Sequence, residues 1–402
     1  MTDGRLAFEG GTPVRPTLLP FHRSWIDEAA IQEVVETLRS GWLTRGPKTA
    51  RLEAAFREYI GARHAVALNS CTAGLHLALA ALGIGPGDEV ITTPFTFAAT
   101  ANVIVHLGAR PVFVDVEPDT LNVDATKIAS ALTGQTKALL PVHFAGQPCD
   151  MDQIVGLARS HGLAVVEDAA HALEAAYRGR KIGAVGSATV FSFYATKNMT
   201  TGEGGMLTTD DEPLAERVRT LSLHGLSQDA WRRYAEPGFH HYEVIAPGYK
   251  YNMFDIQAAL GLHQLGTVEK WWEIRERYVR RYDEAFAPLT ELSPLQVRSD
   301  RRSAHHLYVV LLHLEHLSVT RDRFAEALLA ENIGIGIHFR SLHLHPYYRD
   351  RFGYAPDDYP VARWASDRVL SLPLYPKMTE QDLEDVIRAV LKVLRAFQKR
   401  RP

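Results

Sequence analysis

The sequence predicts an α/β fold: a mostly parallel sheet between helices, followed by a smaller α+β domain. Three observations predict it. Short apolar runs alternate with helix-like stretches over roughly the first 250 residues. The runs are nearly continuous in Val, Ile, Leu and Phe, as strands buried on both faces are. Near residue 254 the rhythm then changes to one long amphipathic pattern.

The strands are expected at HAVAL (64–68), EVITT (89–93), PVFVDV (111–116), KALLPV (137–142) and LAVVED (163–168). Between the first two, Leu75, Leu79 and Leu82 recur at helical spacing, and Gly83 follows as the terminating residue. Pro86-Gly87-Asp88 turns the chain into the next strand. FSFYATKNMTTGEGG (191–205) opens as another apolar strand and runs into Lys197 and glycine. From 254 to 286, Leu265, Val268, Trp271, Ile274, Tyr278 and Tyr282 lie three or four apart among charges. The domain boundary is placed there: residues 1–262 form the large domain, and residues 263–402, with the long connecting helix, the small one. HLYVVLLHL (306–314), RFAEALLAENIGIGIHF (323–339) and a closing helix from about Glu380 build the latter.

Bulk properties narrow the function. A chain of 402 residues buries roughly three quarters of its unfolded surface, enough for an enzyme. Its 46% apolar and 23% charged residues match a globular protein and argue against a disordered or fibrous one. A net charge of −3 supplies no field that would recommend nucleic acid or an acidic membrane as partner. The two cysteines, Cys71 and Cys149, exclude a disulfide framework and lack metal-ligand spacing, so no metal is expected. MTDGRLAFEGG has no charged segment leading an apolar core, and no apolar run approaches the ~20 residues of a membrane span. The cytoplasm is the expected compartment.

Four stretches place chemistry at strand ends, where ligands of an open parallel sheet collect. LNSCTAG (68–74) ends a strand and opens a helix, so unpaired amides near Cys71 and Thr72 offer an anion cradle; simple capping by Ser70 or Thr72 explains the stretch as well. PFTFAAT (94–100) offers Phe95 and Phe97, either a stacking ring or core. VVEDAAH (165–171) runs from apolar strand into Asp168, a carboxylate that either caps a following helix or meets a cation, with His171 one helical turn on. Ser192 and Lys197 flank the last strand's mouth, and a desolvated lysine supplies the neutral amine that attacks a carbonyl. GEGG lacks the GxxxxGK[ST] order, so ATP is not expected. A phosphate cradle, a ring-stacking aromatic, a carboxylate for a protonated ring nitrogen and an imine-forming lysine are together what pyridoxal 5′-phosphate (PLP) requires.

SGWLTRGPKT, LNSCTAGLHLAL, PFTFAATANVI, PVHFAGQPCDMD, VVEDAAHA, FSFYATKNMTTGEGGM, PGYKYNMFDIQAALGLHQL and HLHPYYRDRFGY resemble the DegT/DnrJ/EryC1/StrS sugar aminotransferases, from about Arg23 to about Leu394. The resemblance implies a PLP-dependent transferase of fold type I, a homodimer with shared active sites. It puts the imine at Lys197, the pyridine-nitrogen partner at Asp168 and the ring-hydroxyl neighbour at His171. Phe97 falls on the stacking aromatic, and Cys71 (through its backbone), Thr72 and Ser192 fall on the phosphate ligands. Asn252 falls on a phosphate contact supplied by the partner subunit. Thr44, His338 and Arg340 are the candidate substrate contacts. The implied reaction moves an amino group from L-glutamate, leaving 2-oxoglutarate, to a keto group, typically C4, of a nucleotide-linked deoxy sugar.

Two departures stand out: Glu174 occupies a position where this group commonly has glycine, and Arg340-Ser341 replaces a frequent apolar-Pro pair. Other readings are an aminotransferase for a cyclitol ketone or another keto sugar, and a non-catalytic dimer that keeps the fold. A sugar 3-dehydratase of this fold carries histidine in place of the imine lysine, and Lys197 disfavours it.

Overall fold

The computed structural model describes residues 5–227 and 242–399. Residues 1–4 of the N-terminal stretch discussed above, residues 228–241 and residues 400–402 lie outside that description.

Apolar runs become strands because each is buried on both sides. The large sheet contains β1 (His64–Leu68), β2 (Glu89–Thr92), β3 (Arg110–Phe113), β4 (Thr136–Leu139) and β5 (Ala164–Asp168). A short ribbon, β6 (Ala176–Tyr177) and β7 (Arg180–Lys181), precedes β8 (Ala188–Ser192) and β9 (Gly205–Thr209), which complete it. The strand order is β1-β9-β8-β5-β4-β2-β3. Successive residues of one strand enter opposite cores: Val90 and Ile91, Ala138 and Leu139, Val166 and Val165, Val190 and Phe191. That two-residue alternation, with both sides apolar, is why the strands read as unbroken hydrophobic runs. Several expected strands end one to three residues sooner than the sequence suggested.

One strand runs against the rest. β9 pairs antiparallel with both β1 and β8, whereas the β2–β3, β2–β4, β4–β5 and β5–β8 pairs are parallel. The reversal brings Glu203, Gly204 and Gly205 to the edge where β1, β5 and β8 end. A Cβ on Gly205 would lie 2.6 Å from the Cys71 amide nitrogen. Only glycine there lets the helix Cys71–Ala81 start against the sheet.

The second core is built on an antiparallel sheet, in which β10 (Leu292–Pro294) and β13 (Val369–Leu372) flank β12 (Tyr308–Leu312); β11 (Arg301–Arg302) pairs instead with β6. The helix Asp255–Phe286 serves both cores: Ala258, Leu265 and Val268 pack in the first, and Tyr278, Tyr282 and Phe286 in the second. At 32 residues it spans about 48 Å. The N-terminal segment joins the second core through Leu6 and Leu19. Buried Glu331 fastens that segment, accepting from the Ala7 and Val14 amides at 2.9 Å each and pairing with Lys392. The expected division at 262/263 therefore falls within a helix that both cores share, and residues near the N-terminus pack with the C-terminal half.

The expectation of a helix after β5, with His171 one turn beyond Asp168, is not met. Asp168 Oδ1 accepts the Ala170 amide at 3.1 Å, and further turns, Ala172 N to Ala169 O (2.9 Å) and Ala175 N to Ala172 O (3.2 Å), lead into β6. An aspartate that bonds its own backbone two residues on offers the chain an alternative to helix, and here the turn prevails.

Candidate active site

A cavity of about 640 Å³ opens where β1, β5 and β8 end and the second core closes over them. Cys71, Thr72, Phe97, Asp168, His171, Ser192, Lys197 and His338 all line it. Sequence reasoning thus gathered eight candidates that the fold brings together. Thr44, Asn252 and Arg340 are not among its lining residues. Thr44 is exposed and its carbonyl accepts the Asp255 amide at 3.2 Å; Asn252 bridges to Leu68 at the far side of β1; Arg340 is exposed and donates to the Leu344 carbonyl at 3.4 Å.

The anion end is a helix start. Ser70 is the cap, its hydroxyl accepting the Ala73 amide at 3.0 Å, and its carbonyl takes the Gly74 amide at 3.2 Å. The preceding amides, of Cys71 and Thr72, belong to the helix's first turn, whose N–H groups have no acceptor within the helix, and both residues line the cavity.

Asp168 ends β5 with its carboxylate fully enclosed. Thr100 Oγ1 donates to Oδ2 at 2.8 Å, and the Ala170 amide to Oδ1. Burial pushes its carboxyl above the ordinary aspartate range, with Thr100, the Ala170 amide and Lys197 pulling the other way. Such a group gains most from a cationic N–H partner.

Lys197 sits in a pinned turn. Its amide donates to the Tyr194 carbonyl at 2.9 Å; Thr201 N returns to Phe193 O at 2.9 Å, and Gln264 of the long helix accepts from Thr200 N at 3.2 Å. Burial lowers the ammonium from its ordinary 10.5 to about 8, with Cys71 and Asp168 opposing. Around it stand imidazoles held neutral. Burial pushes His22 and His338 down to about 4, and His171 well below its usual range, Lys197 adding to all three. The His171 ring lies 6.1 Å from Phe339, nearly parallel, and its Nδ1 is buried with no partner among the described residues.

Glu174 is buried, and its position is answered by distant residues. One carboxylate oxygen pairs with buried Arg275 of the long helix, and the other accepts from Asn198 Nδ2 at 2.7 Å. Removing one member of such a pair typically costs about 3–5 kcal/mol, because the other charge stays buried alone.

Thr100 and His22 are site residues that sequence reasoning did not single out, whereas His306, one of the HHLYVV histidines expected near the substrate mouth, lines the cavity. The first had a readable signal: Thr96 and Thr100 stand one turn apart at a helix start, and their hydroxyls meet at 2.8 Å.

Residues 24–391 match the DegT/DnrJ/EryC1/StrS aminotransferase family. The chain belongs to this family. It is 54% identical over 382 residues to the spore coat polysaccharide biosynthesis protein SpsC of Bacillus subtilis, covering 95% of this chain and 98% of SpsC. Among solved structures it is similar to Spr1654 of Streptococcus pneumoniae in its PLP and PMP forms, at 35% identity and a TM-score of 0.87, covering 94% of this chain and 99% of that one. It is likewise similar to PseC of Helicobacter pylori, an aminotransferase involved in pseudoaminic acid biosynthesis (29% identity, TM-score 0.88, covering 95% and 100%). The protein is a PLP-dependent aminotransferase of the sugar aminotransferase group, with fold type I architecture.

The cavity fits that cofactor on its own terms. A helix start suits the phosphate, a shielded carboxylate suits a protonated ring nitrogen, and an amine near pH 8 suits the aldehyde. Asp168→Asn keeps the shape and removes the charge that is costly to enclose. The cofactor-free variant is expected to melt no lower than the parent in a thermal scan, while transamination falls roughly 100-fold or more. Near-parental turnover would remove Asp168 from the chemistry.

Proposed function

We propose that this protein moves the amino group of L-glutamate to a keto group, at C4, of a nucleotide-linked deoxy sugar, releasing an amino sugar and 2-oxoglutarate. The observation that carries the reading is the partly desolvated Lys197 amine, set between an enclosed carboxylate and a helix start. Sugar aminotransferases among its relatives support the acceptor class.

When bound, PLP supplies an electron sink for the carbon that loses or gains a proton. Lys197 would hold it through the ε-nitrogen, and the same nitrogen, when free, is the base placed to take a proton from the substrate carbon and return it. A lysine of ordinary pKa is almost wholly protonated at neutral pH; at about 8, a usable fraction is free amine. Asp168 holds the ring nitrogen in its protonated state. The Cys71 amide, Thr72 and Ser192 would bind the phosphate, Phe97 would pack on the ring, and His171 would serve the ring hydroxyl. His338, in the cavity wall, and Arg340, outside it, serve the substrate.

Two candidates fit a site shared between subunits. Thr44 and Asn252 lie outside this chain's own cavity on segments joined at Asp255, whose amide donates to the Thr44 carbonyl and whose carboxylate fastens the segment 46–49 to the start of the long helix, accepting from Gly46 N at 2.8 Å and Thr49 N at 2.9 Å. Next to them Leu43 is 45% exposed and Phe254 38% exposed. An apolar patch beside two polar candidates matches an isologous contact, in which each copy lends Asn252 and Thr44 to its partner's cavity. A homodimer working in the cytoplasm is the resulting picture. Among the described residues no helix is long and apolar enough to cross a membrane.

Glutamate is expected to bleach the visible absorption of the loaded enzyme, and a nucleotide-linked 4-keto sugar from a panel to restore it. Restoration only by cyclitol ketones or by sugars without a nucleotide would overturn the acceptor, and a loaded sample that no amino donor changes would overturn catalysis. Separately, mixing inactive Lys197→Ala and Asn252→Ala subunits should regain activity, since one heterodimer site then has both groups. No recovery under conditions where subunits exchange contradicts the shared site.

A further inference from the structure

His306 lies in the HHLYVV segment just before β12, only 8% exposed, in the wall of the Lys197 cavity. Its ring centroid is 4.4 Å from that of His171. Which of its nitrogens carries the proton follows from its neighbours. Asn198 Nδ2 lies 2.7 Å from Glu174 Oε2 and 2.9 Å from the Ala304 carbonyl, two groups that only accept. The amide nitrogen is therefore the end facing them, and Asn198 Oδ1 is the end facing His306 Nδ1, at 2.9 Å. An amide oxygen only accepts, so Nδ1 carries the hydrogen. Burial keeps the ring neutral, and His171, Lys197, His338 and His22 all disfavour its charged form. A neutral ring protonated at Nδ1 has a lone pair at Nε2, and Nε2 makes no hydrogen bond among the described residues.

We infer that His306 Nε2 accepts a hydrogen bond from a hydroxyl of the sugar acceptor, and that Glu174, through Asn198, positions it for this by fixing its tautomer. The inference rests on the sugar-acceptor reading. A neutral lone pair repels a carboxylate or a keto oxygen and attracts an O–H, so this point of the wall suits a ring hydroxyl. Arg275, paired with Glu174, anchors the relay to the long helix. Had position 174 carried no acceptor, the Ala304 carbonyl alone would hold the Asn198 amide against turning over, and the tautomer would be less firmly fixed.

Neutron diffraction from deuterium-exchanged crystals of the cofactor-free protein reads the tautomer directly. Deuterium on Nδ1 and none on Nε2 is expected; deuterium on Nε2 overturns the inference. In Glu174→Gln, or in Asn198→Ala should the first variant fold poorly, occupancy is expected to spread to Nε2, and an unchanged Nδ1 assignment in a folded variant removes the relay. With a dTDP-linked 4-keto-6-deoxyhexose as acceptor, His306→Phe should lower kcat/KM about tenfold, the loss of one hydrogen bond, and His306→Gln, which keeps an acceptor, should recover most of it. Parental kcat/KM in His306→Phe overturns the contact. Failure of the unmutated enzyme to use this probe would count against the acceptor reading instead, and the neutron result would then decide the tautomer alone.

Discussion

Everything in this molecule is arranged around holding one amine partly out of water. A lysine in bulk solvent stays protonated and unreactive at neutral pH; enclosure brings the Lys197 ammonium to about 8. That enclosure is costly, and neither core supplies it alone. The sheet edge provides Cys71, Asp168 and Ser192, and the opposite wall comes from the C-terminal half, with Leu372 and Leu374 of the second core beside His306, His338 and Phe339. The shared helix and the N-terminal segment clamped by Glu331 keep the two walls in register. Neutral imidazoles complete the shell, so the cavity is polar without adding a second cation beside the lysine.

The same geometry explains the glycine-rich stretch after Lys197. A turn must leave β8, carry the lysine into the cavity and re-enter the sheet as antiparallel β9. Gly205 lets that returning strand touch the start of the phosphate-side helix. The lysine and the anion site are thus fixed to each other through backbone contact, which is stiffer than any pair of side chains could be.

Much of this was legible in the sequence, and the physical reason is locality. Strands buried on both faces announce themselves by composition, and residues at their ends fall at one edge of a parallel sheet whatever the remaining details. Lys197, Asp168, Ser192 and Thr72 were readable for that reason. What escaped was long-range. The partner of Glu174 lies 101 residues away in sequence, and His306 meets Asn198 across 108, so no spacing rule could join them. The reversed strand β9 and the turn after Asp168 were missed because side-chain-to-backbone bonds and sheet pairing override local pattern. Asn252 and Thr44 were found by resemblance, and in a single chain neither is among the residues that line the cavity.

The central claim is that the nitrogen at position 197 is the reactive one, made so by burial. Addition of PLP to the cofactor-free protein across a pH series, with borohydride trapping at timed intervals and peptide mass spectrometry, tests both halves together. The account predicts a pyridoxyl adduct on the peptide containing Lys197, formed by the cofactor-free protein at a rate that rises with pH and is half-maximal near 8. An adduct on another lysine, or a rate still climbing beyond pH 10 as for a solvated amine, would contradict it.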